Sequence, residues 1–314
     1  MRFSDPASML NEEIRVQNEV AVMSLAREAL EHHDTSLVPE VYGVPLGDKF
    51  PTLDSEKKRD LLRQIAQAFK HFQKYKPPES ARTFGGLNFG PDGSLIGGPT
   101  PIAGGGPCTT LSDLYQEYFK TQIGFADKCD IIRGWGDSDL RTRLDQFGAK
   151  GLKSLVSRVE ARPTLVHGDF DGNNVLFDEA TNKLTALLDC DFGHIGSQYP
   201  RTYDSPFTGD PEEERLRDCL VNGFTQEDVQ RKSESIDWMT ATMRDEEFTK
   251  AGVERPSDIQ GINDLSAVYW FIQNISPPMF FLERWRVKAT PERIEIIKRE
   301  ARNNLEKNLD LWVY

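Results

Sequence analysis

At 314 residues the chain is long enough for one large domain or for two lobes around a cleft, and too long for a single-core minidomain. Its 38% hydrophobic, 28% charged and 10% aromatic residues are those of an ordinary globular protein, with no signature of disorder or of collagen. The formal net charge of -12 speaks against non-specific nucleic-acid binding, which needs a basic surface to displace counterions.

In chain order, the first thirty residues carry Glu12, Glu13, Arg15 and Glu19 in place of an unbroken apolar core, and nowhere do eighteen apolar residues run together. Neither a secretory leader nor a membrane span is expected. Within this stretch Val16, Val20, Met23 and Leu30 recur at helical spacing, which predicts an amphipathic helix over residues 12–30 that buries that face. The run LVPEVYGV (37–44) predicts a short strand entered through a proline. Ser55 opens a second helix carrying Leu61, Leu62, Ile65, Phe69 and Phe72, ended by Pro77 and Pro78.

Residues 84–107 (GGLNFGPDG, GGPTPIAGGGP) predict turns and short extended pieces, read as a junction between lobes. Helices come next around Leu111 and around Leu152, the latter leading into an apolar strand, TLVHGDF. Beyond Asp210 acidic turns alternate with helices, the last beginning at Thr290 and Pro291, a good cap followed by a good first-turn residue. The four cysteines form no CxxC and the five histidines no HExxH or zinc pair, so a reduced, cytoplasmic setting is expected.

The chemistry concentrates in residues 165–195, LVHGDFDGNNVLFDEATNKLTALLDCDFGHI. A strand, a polar loop, a second strand, a short turn and a third strand ending at Asp189 would fold Asn174 back beside Asp189. A carboxylate and an amide carbonyl then meet, a pair suited to magnesium, which takes few protein ligands and keeps waters and phosphate oxygens. Asp169, five positions before Asn174, can accept a proton from an incoming hydroxyl. Asp191-Phe192-Gly193 offers a second carboxylate. Strand alternation does not separate it from Asp189, because both fall on one face, but Asp189 is preferred because it directly ends the apolar run.

His167, Asp169 and Asn174 match an H-x-D-x-x-x-x-N loop, and HGDFDGNN followed by LLD resembles the aminoglycoside phosphotransferase and choline kinase-like family of small-molecule kinases. The resemblance implies an α+β, protein-kinase-like two-lobe fold. Its small N-terminal lobe would have a short antiparallel sheet and one helix, and its large C-terminal lobe would be mostly helical. It divides the chain into 1–78, a reduced nucleotide lobe with its linking helix, and 79–314, the lobe holding the catalytic loop. It implies ATP and magnesium as cofactors, Asp169 as base or hydroxyl-orienting group, Asn174 and Asp189 as metal ligands, and His167 as a structural member of the loop.

On the nucleotide side the resemblance implies a basic residue on a strand, paired with a glutamate on the next helix; Arg2 and Glu19 are the candidates. The chain departs from the family in two places. If Arg2 lies on the third strand, as the resemblance implies, the two strands and the phosphate-covering loop expected before it are absent from this chain, and VYGVPLGDKFPTL passes from strand to helix where a further strand and an adenine-gripping hinge are expected. GGLNFG and GGGP carry no GK[ST] and do not replace them. The spacing of Pro-Glu-Val-Tyr-Gly, the glycine-rich segment and LLDCDFGHIG resemble fungal members.

The first reading is therefore an ATP- and magnesium-dependent phosphotransferase acting on a hydroxyl of a small molecule, with no nucleic-acid or membrane partner. The alternative is a catalytically impaired pseudokinase, or a truncated gene product, acting as a binding protein. A metal-dependent hydrolase ranks third, for want of a histidine or carboxylate cluster.

Overall fold

Three of the long helices start where short polar side chains cap them. In a computed structural model, which describes residues 12–30, 42–101, 105–136, 138–170, 172–197, 236–254 and 259–314, Asp54 accepts a hydrogen bond from the Lys57 amide at 2.9 Å and opens α3 (Ser55–Lys74). Thr110 does the same for Asp113 at 3.1 Å and Thr290 for Arg293 at 3.3 Å. Each cap satisfies an amide that has no partner inside the helix, worth about 1 kcal/mol.

The first helix, α1 (Glu12–Leu30), has the expected span, and of the face expected inward Leu30 is buried and Met23 packs against the core, whereas Val16 and Val20 face outward. Val16 and Val20 are 48% and 44% exposed, whereas Arg15 is 6% and Asn18 0% exposed, on the same stripe as buried Val22, Leu25 and Ala29. The apolar pattern misleads here because the surface under the start of this helix is backbone and carboxylate rather than an apolar sheet.

Of the strand expected over 37–44, residues 37–41 lie outside the described residues; its end is a two-residue strand, β1 (Val44–Pro45). It runs straight into a single helical turn, α2 (Leu46–Lys49), and α3 then buries Leu61, Leu62, Ile65, Phe69 and Phe72. In the glycine-rich segment the expected short extended pieces pair as a hairpin of β2 (Gly86–Phe89) and β3 (Leu95–Gly98). After it come α4 (Leu111–Lys128), α5 (Leu140–Gln146) and α6 (Leu152–Val156).

The centre of the chain is built from β4 (Thr164–Val166), β5 (Val175–Asp178), β6 (Lys183–Leu187) and β7 (His194–Gly196). β5 and β6 pair antiparallel and β1 adds to the outer side of β5; β4 pairs with β7, which also bridges to Gly85 at the foot of β2. Helices α7 (Ile236–Ala251), α8 (Ile262–Ile275), α9 (Glu283–Arg286) and α10 (Pro291–Trp312) complete this α+β fold.

Two apolar clusters form the interior. One joins α1, α3, the β5–β6 hairpin and Met243, Phe248 and Val253; the other joins α4, α5, α6, α8 and α10. From the first, Phe69 of α3 packs on Phe170 in the loop between β4 and β5, with ring centroids 4.7 Å apart. A pair of this kind adds about 1 kcal/mol beyond its buried area, and it anchors the loop that carries the candidate site. No described helix is long and apolar enough to cross a membrane.

Candidate active site

The loop leaving β4 doubles back because Gly168 takes φ +84, a region glycine enters without steric cost. A Cβ there would overlap the carbonyl oxygen of Phe192, so the loop lies directly on the turn after Asp189. His167, 5% exposed, ties the two together. Its Nε2 lies 2.9 Å from the carbonyl of Leu188, an acceptor, so Nε2 carries the proton and donates. Nδ1 then accepts from the Asp169 amide at 3.3 Å. Burial pushes the imidazole down to about 4, so it is neutral and structural, in the part expected of it.

Asp169 and Asn174 meet across the loop. The Asn174 Nδ2 donates to the main-chain carbonyl of Asp169 at 2.8 Å and to its carboxylate at 3.1 Å. The Asn174 main-chain carbonyl in turn accepts from the Leu188 amide at 2.7 Å, closing the mouth of the β5–β6 hairpin. Asp169, Asn174 and Asp189 thus come to one end of the sheet, all of them partly open to solvent. The floor beneath the loop is α2, which packs against Gly172–Asn174.

The strand geometry expected for Asp189 and Asp191 does not hold. β6 ends at Leu187, Asp189 adopts φ 61, ψ 60, and Cys190–Phe192 form a turn of 3-10 helix. The left-handed residue rotates the chain out of the pleat, so the two carboxylates part company. Asp191 turns under α1, where Arg15 meets its carboxylate at 2.8 Å, both side chains more than nine-tenths buried. Asp189 stays at the mouth of the hairpin with Asn174.

Glu19 lies one turn along α1 from Arg15 and 3.5 Å from its guanidinium. Burial, then a hydrogen bond to Asp191 and the Asp191 charge, push its carboxyl up to about 7, against the pull of Arg15. Its cationic neighbour among the described residues is therefore Arg15; Arg2, the partner sought for it in the sequence, lies outside them. Cys190 is buried, with burial first and then the surrounding carboxylates pushing its thiol up to about 12, so it packs and does not react.

Sequence reasoning missed Arg15 and Asn18. Asn18 donates to the Gly193 carbonyl and accepts from the Leu87 amide, both at 2.7 Å, stitching the turn to β2. The signal was present in the spacing: residues 15, 18, 22, 25 and 29 form one unbroken 3-4 stripe. Its first two members are polar, so an apolar count passes over them.

The donor chemistry fits magnesium. Asp189 offers carboxylate oxygens, and Asn174, whose Nδ2 is engaged by Asp169, keeps its amide oxygen as acceptor. Hard oxygens, two in number, are what a magnesium ion takes when phosphate and water complete its shell. Among the described residues no group of three His, Cys, Asp or Glu is placed to hold a metal by itself.

A model of the phosphotransferase enzyme family (APH) matches residues 15–204, more than half of the chain and the whole of this site. No curated protein matches the sequence. Among solved structures the chain is similar to the aminoglycoside phosphotransferase APH(2'')-Ib bound to ADP, at 15% identity, covering 97% of this chain and 86% of that one, with a TM-score of 0.44. It is similar also to the streptomycin–ATP–APH(2'')-IIa ternary complex, at 14% identity with 93% and 82% covered and a TM-score of 0.44. For the gentamicin–APH(2'')-IIa complex the figures are 17%, 96%, 82% and 0.41.

Proposed function

Because the chain belongs to the APH phosphotransferase enzyme family and carries a kinase-like α+β fold, we propose that it transfers the γ-phosphoryl group of ATP, with magnesium, to a hydroxyl of a small molecule. The observation that carries this is the meeting of Asp169, Asn174 and Asp189 at one end of the β5–β6 hairpin, held by the Asn174 bonds to Asp169 and by the Leu188–Asn174 bond.

Asp169 orients the acceptor hydroxyl and takes its proton. Asn174 holds the Asp169 carboxylate in place with its amide, and its own oxygen serves, with Asp189, as a magnesium ligand. The bound ion would neutralise charge on the phosphate oxygens, the largest electrostatic demand of phosphoryl transfer. His167 keeps Leu188 and the Asp169 backbone in register from below. On the nucleotide side Glu19 and Arg2 are the proposed contacts, with Arg15 as the cation Glu19 faces. Gly168 and Phe170 hold the loop against the sheet and α3, so catalysis rests on positioning.

A second reading, a chain that binds a ligand or partner without turnover, draws support from β1 running directly into α2, with no residue left between them for a further strand and hinge. One experiment separates the two. Magnesium and ATP should raise the thermal midpoint by mass action, since a ligand at a hundred times its Kd adds about 2.7 kcal/mol. ADP release should accompany the shift. A shift without release favours the binding protein, and no shift at millimolar ATP removes the phosphotransferase assignment for this chain.

A further inference from the structure

We infer that Arg15 and Asn18 are positioning residues that set the geometry of the Asp189 carboxylate by stapling the turn 190–193 to helix α1. The inference rests on the metal role proposed for Asp189, and adds two residues that neither the motif nor the family resemblance supplied.

Asp189 sits in local conflict with its own backbone. It holds φ 61, ψ 60, a conformation that carries a cost for residues other than glycine, smaller for aspartate than for most, and that surrounding contacts help to maintain. Within the turn itself, the described backbone contribution is the Gly193 amide donating to the Cys190 carbonyl at 2.9 Å. Helix α1 provides more. Arg15 grips the Asp191 carboxylate at 2.8 Å, and Asn18 Nδ2 donates to the Gly193 carbonyl at 2.7 Å and reaches the Asp191 carbonyl at 3.5 Å. The far end of Asn18 accepts from Leu87 of β2 at 2.7 Å, so the staple is anchored to the sheet.

The turn is packed closely on both sides. A Cβ on Gly193 would overlap Val22 of α1, and a Cβ on Gly168 would overlap the Phe192 carbonyl. The turn is therefore clamped between the helix and the catalytic loop, with polar bonds on the helix side. Arg15 and Asn18 are 6% and 0% exposed, so neither is spent on solubility. Groups that orient a ligand in this way control metal affinity strongly, with losses of about 10–100-fold on removal.

The test uses Arg15→Gln and Asn18→Ala in the full chain, with Val16→Ser on the exposed face of α1 as control. Asn18→Ala leaves the buried Arg15–Asp191 pair intact and so guards against a variant that fails only through an orphaned charge. Manganese binding is measured by electron paramagnetic resonance in the presence of ADP, magnesium activation by ADP release, and amide exchange over residues 188–195 in the metal-free protein. Both variants should weaken manganese binding and raise the magnesium activation constant at least about tenfold. Exchange over 188–195 should quicken, helical circular dichroism should be kept, and Val16→Ser should behave as the parent. Parental metal constants in folded variants would overturn the inference alone, as would loss of the folded state in both. If the parent protein binds no manganese with ADP and releases no ADP, the phosphotransferase reading fails and takes the inference with it.

Discussion

Asn174 donates its side-chain amide to two oxygens of Asp169, the main-chain carbonyl at 2.8 Å and the carboxylate at 3.1 Å. The paired contact fixes the carboxylate relative to the backbone five residues away and leaves the asparagine oxygen for a cation. It makes the two residues one functional unit, so their substitutions should not behave additively.

Asp169→Asn keeps the shape of the side chain and removes its basicity. ADP release should fall by about 10²–10⁴-fold, the range for loss of a positioned general base, while the shift in thermal midpoint on adding magnesium and ATP remains. Steady-state ADP release and a thermal melt measure the two quantities. Turnover within a few-fold of the parent would refute the role of Asp169.

Asp189→Asn should separate metal from nucleotide. The part of the ATP-induced stabilisation that EDTA abolishes in the parent should be missing, about 1–3 kcal/mol at saturating ligand, whereas stability without ligand changes little because the residue is partly exposed. The decoy carboxylate gives the opposite pattern. Asp191→Asn takes from buried Arg15 its closer anion, leaving Glu19 at 3.5 Å, and should cost about 1–3 kcal/mol of stability in the absence of metal. Equal behaviour of the two variants in melts with and without EDTA would contradict this division.

His167 makes stability depend on pH. Its folded value of about 4 lies below the ordinary 6.5, so the unfolded chain takes up the proton first as pH falls. The contribution is fully present above pH 6.5 and is lost as pH falls through about 4. The difference of about 2.5 units, at 1.36 kcal/mol each, is roughly 3 kcal/mol. Urea unfolding at about pH 7.5, 6 and 5 should show a loss that His167→Gln shows to a much smaller degree. Parallel pH profiles for parent and variant would exclude the neutral, buried imidazole.

Gly193→Ala forces a methyl group into Val22 and should destabilise by about 1–3 kcal/mol. Val22→Ala alone costs a similar amount through lost burial. Together they should cost at least about 0.5 kcal/mol less than their sum, since each makes room for the other. Urea titration of the four proteins gives the coupling energy, and strict additivity would show that α1 does not press on the turn.

Much of the site was legible in the sequence because it is local. The loop from His167 to Asn174, the hairpin after it and the cap at Thr290 are specified by residues within a few positions of one another, and short polar side chains and apolar runs act at that range. The helix over 12–30 was legible for the same reason, in its length and in the burial of Leu30, but not in the facing of its first turns, where Val16 and Val20 point outward.

What tertiary structure alone decided is the company these elements keep. Residues 15 and 191 lie 176 positions apart, and no periodicity within either segment reveals that a buried arginine meets a buried aspartate. Helix facing is bound up with that meeting, because a surface of backbone carbonyls and carboxylates selects Arg15 and Asn18 over Val16 and Val20. The same meeting separated Asp189 from Asp191: alternation put them on one face, and a left-handed residue held by distant partners took the second away. Sequence determined the chemistry available to the site, through the kinds and order of its residues. The fold determined which of those residues share a low-dielectric interior, where a charge must find its partner, and which remain at the mouth of the hairpin, where a cation and a substrate can reach them.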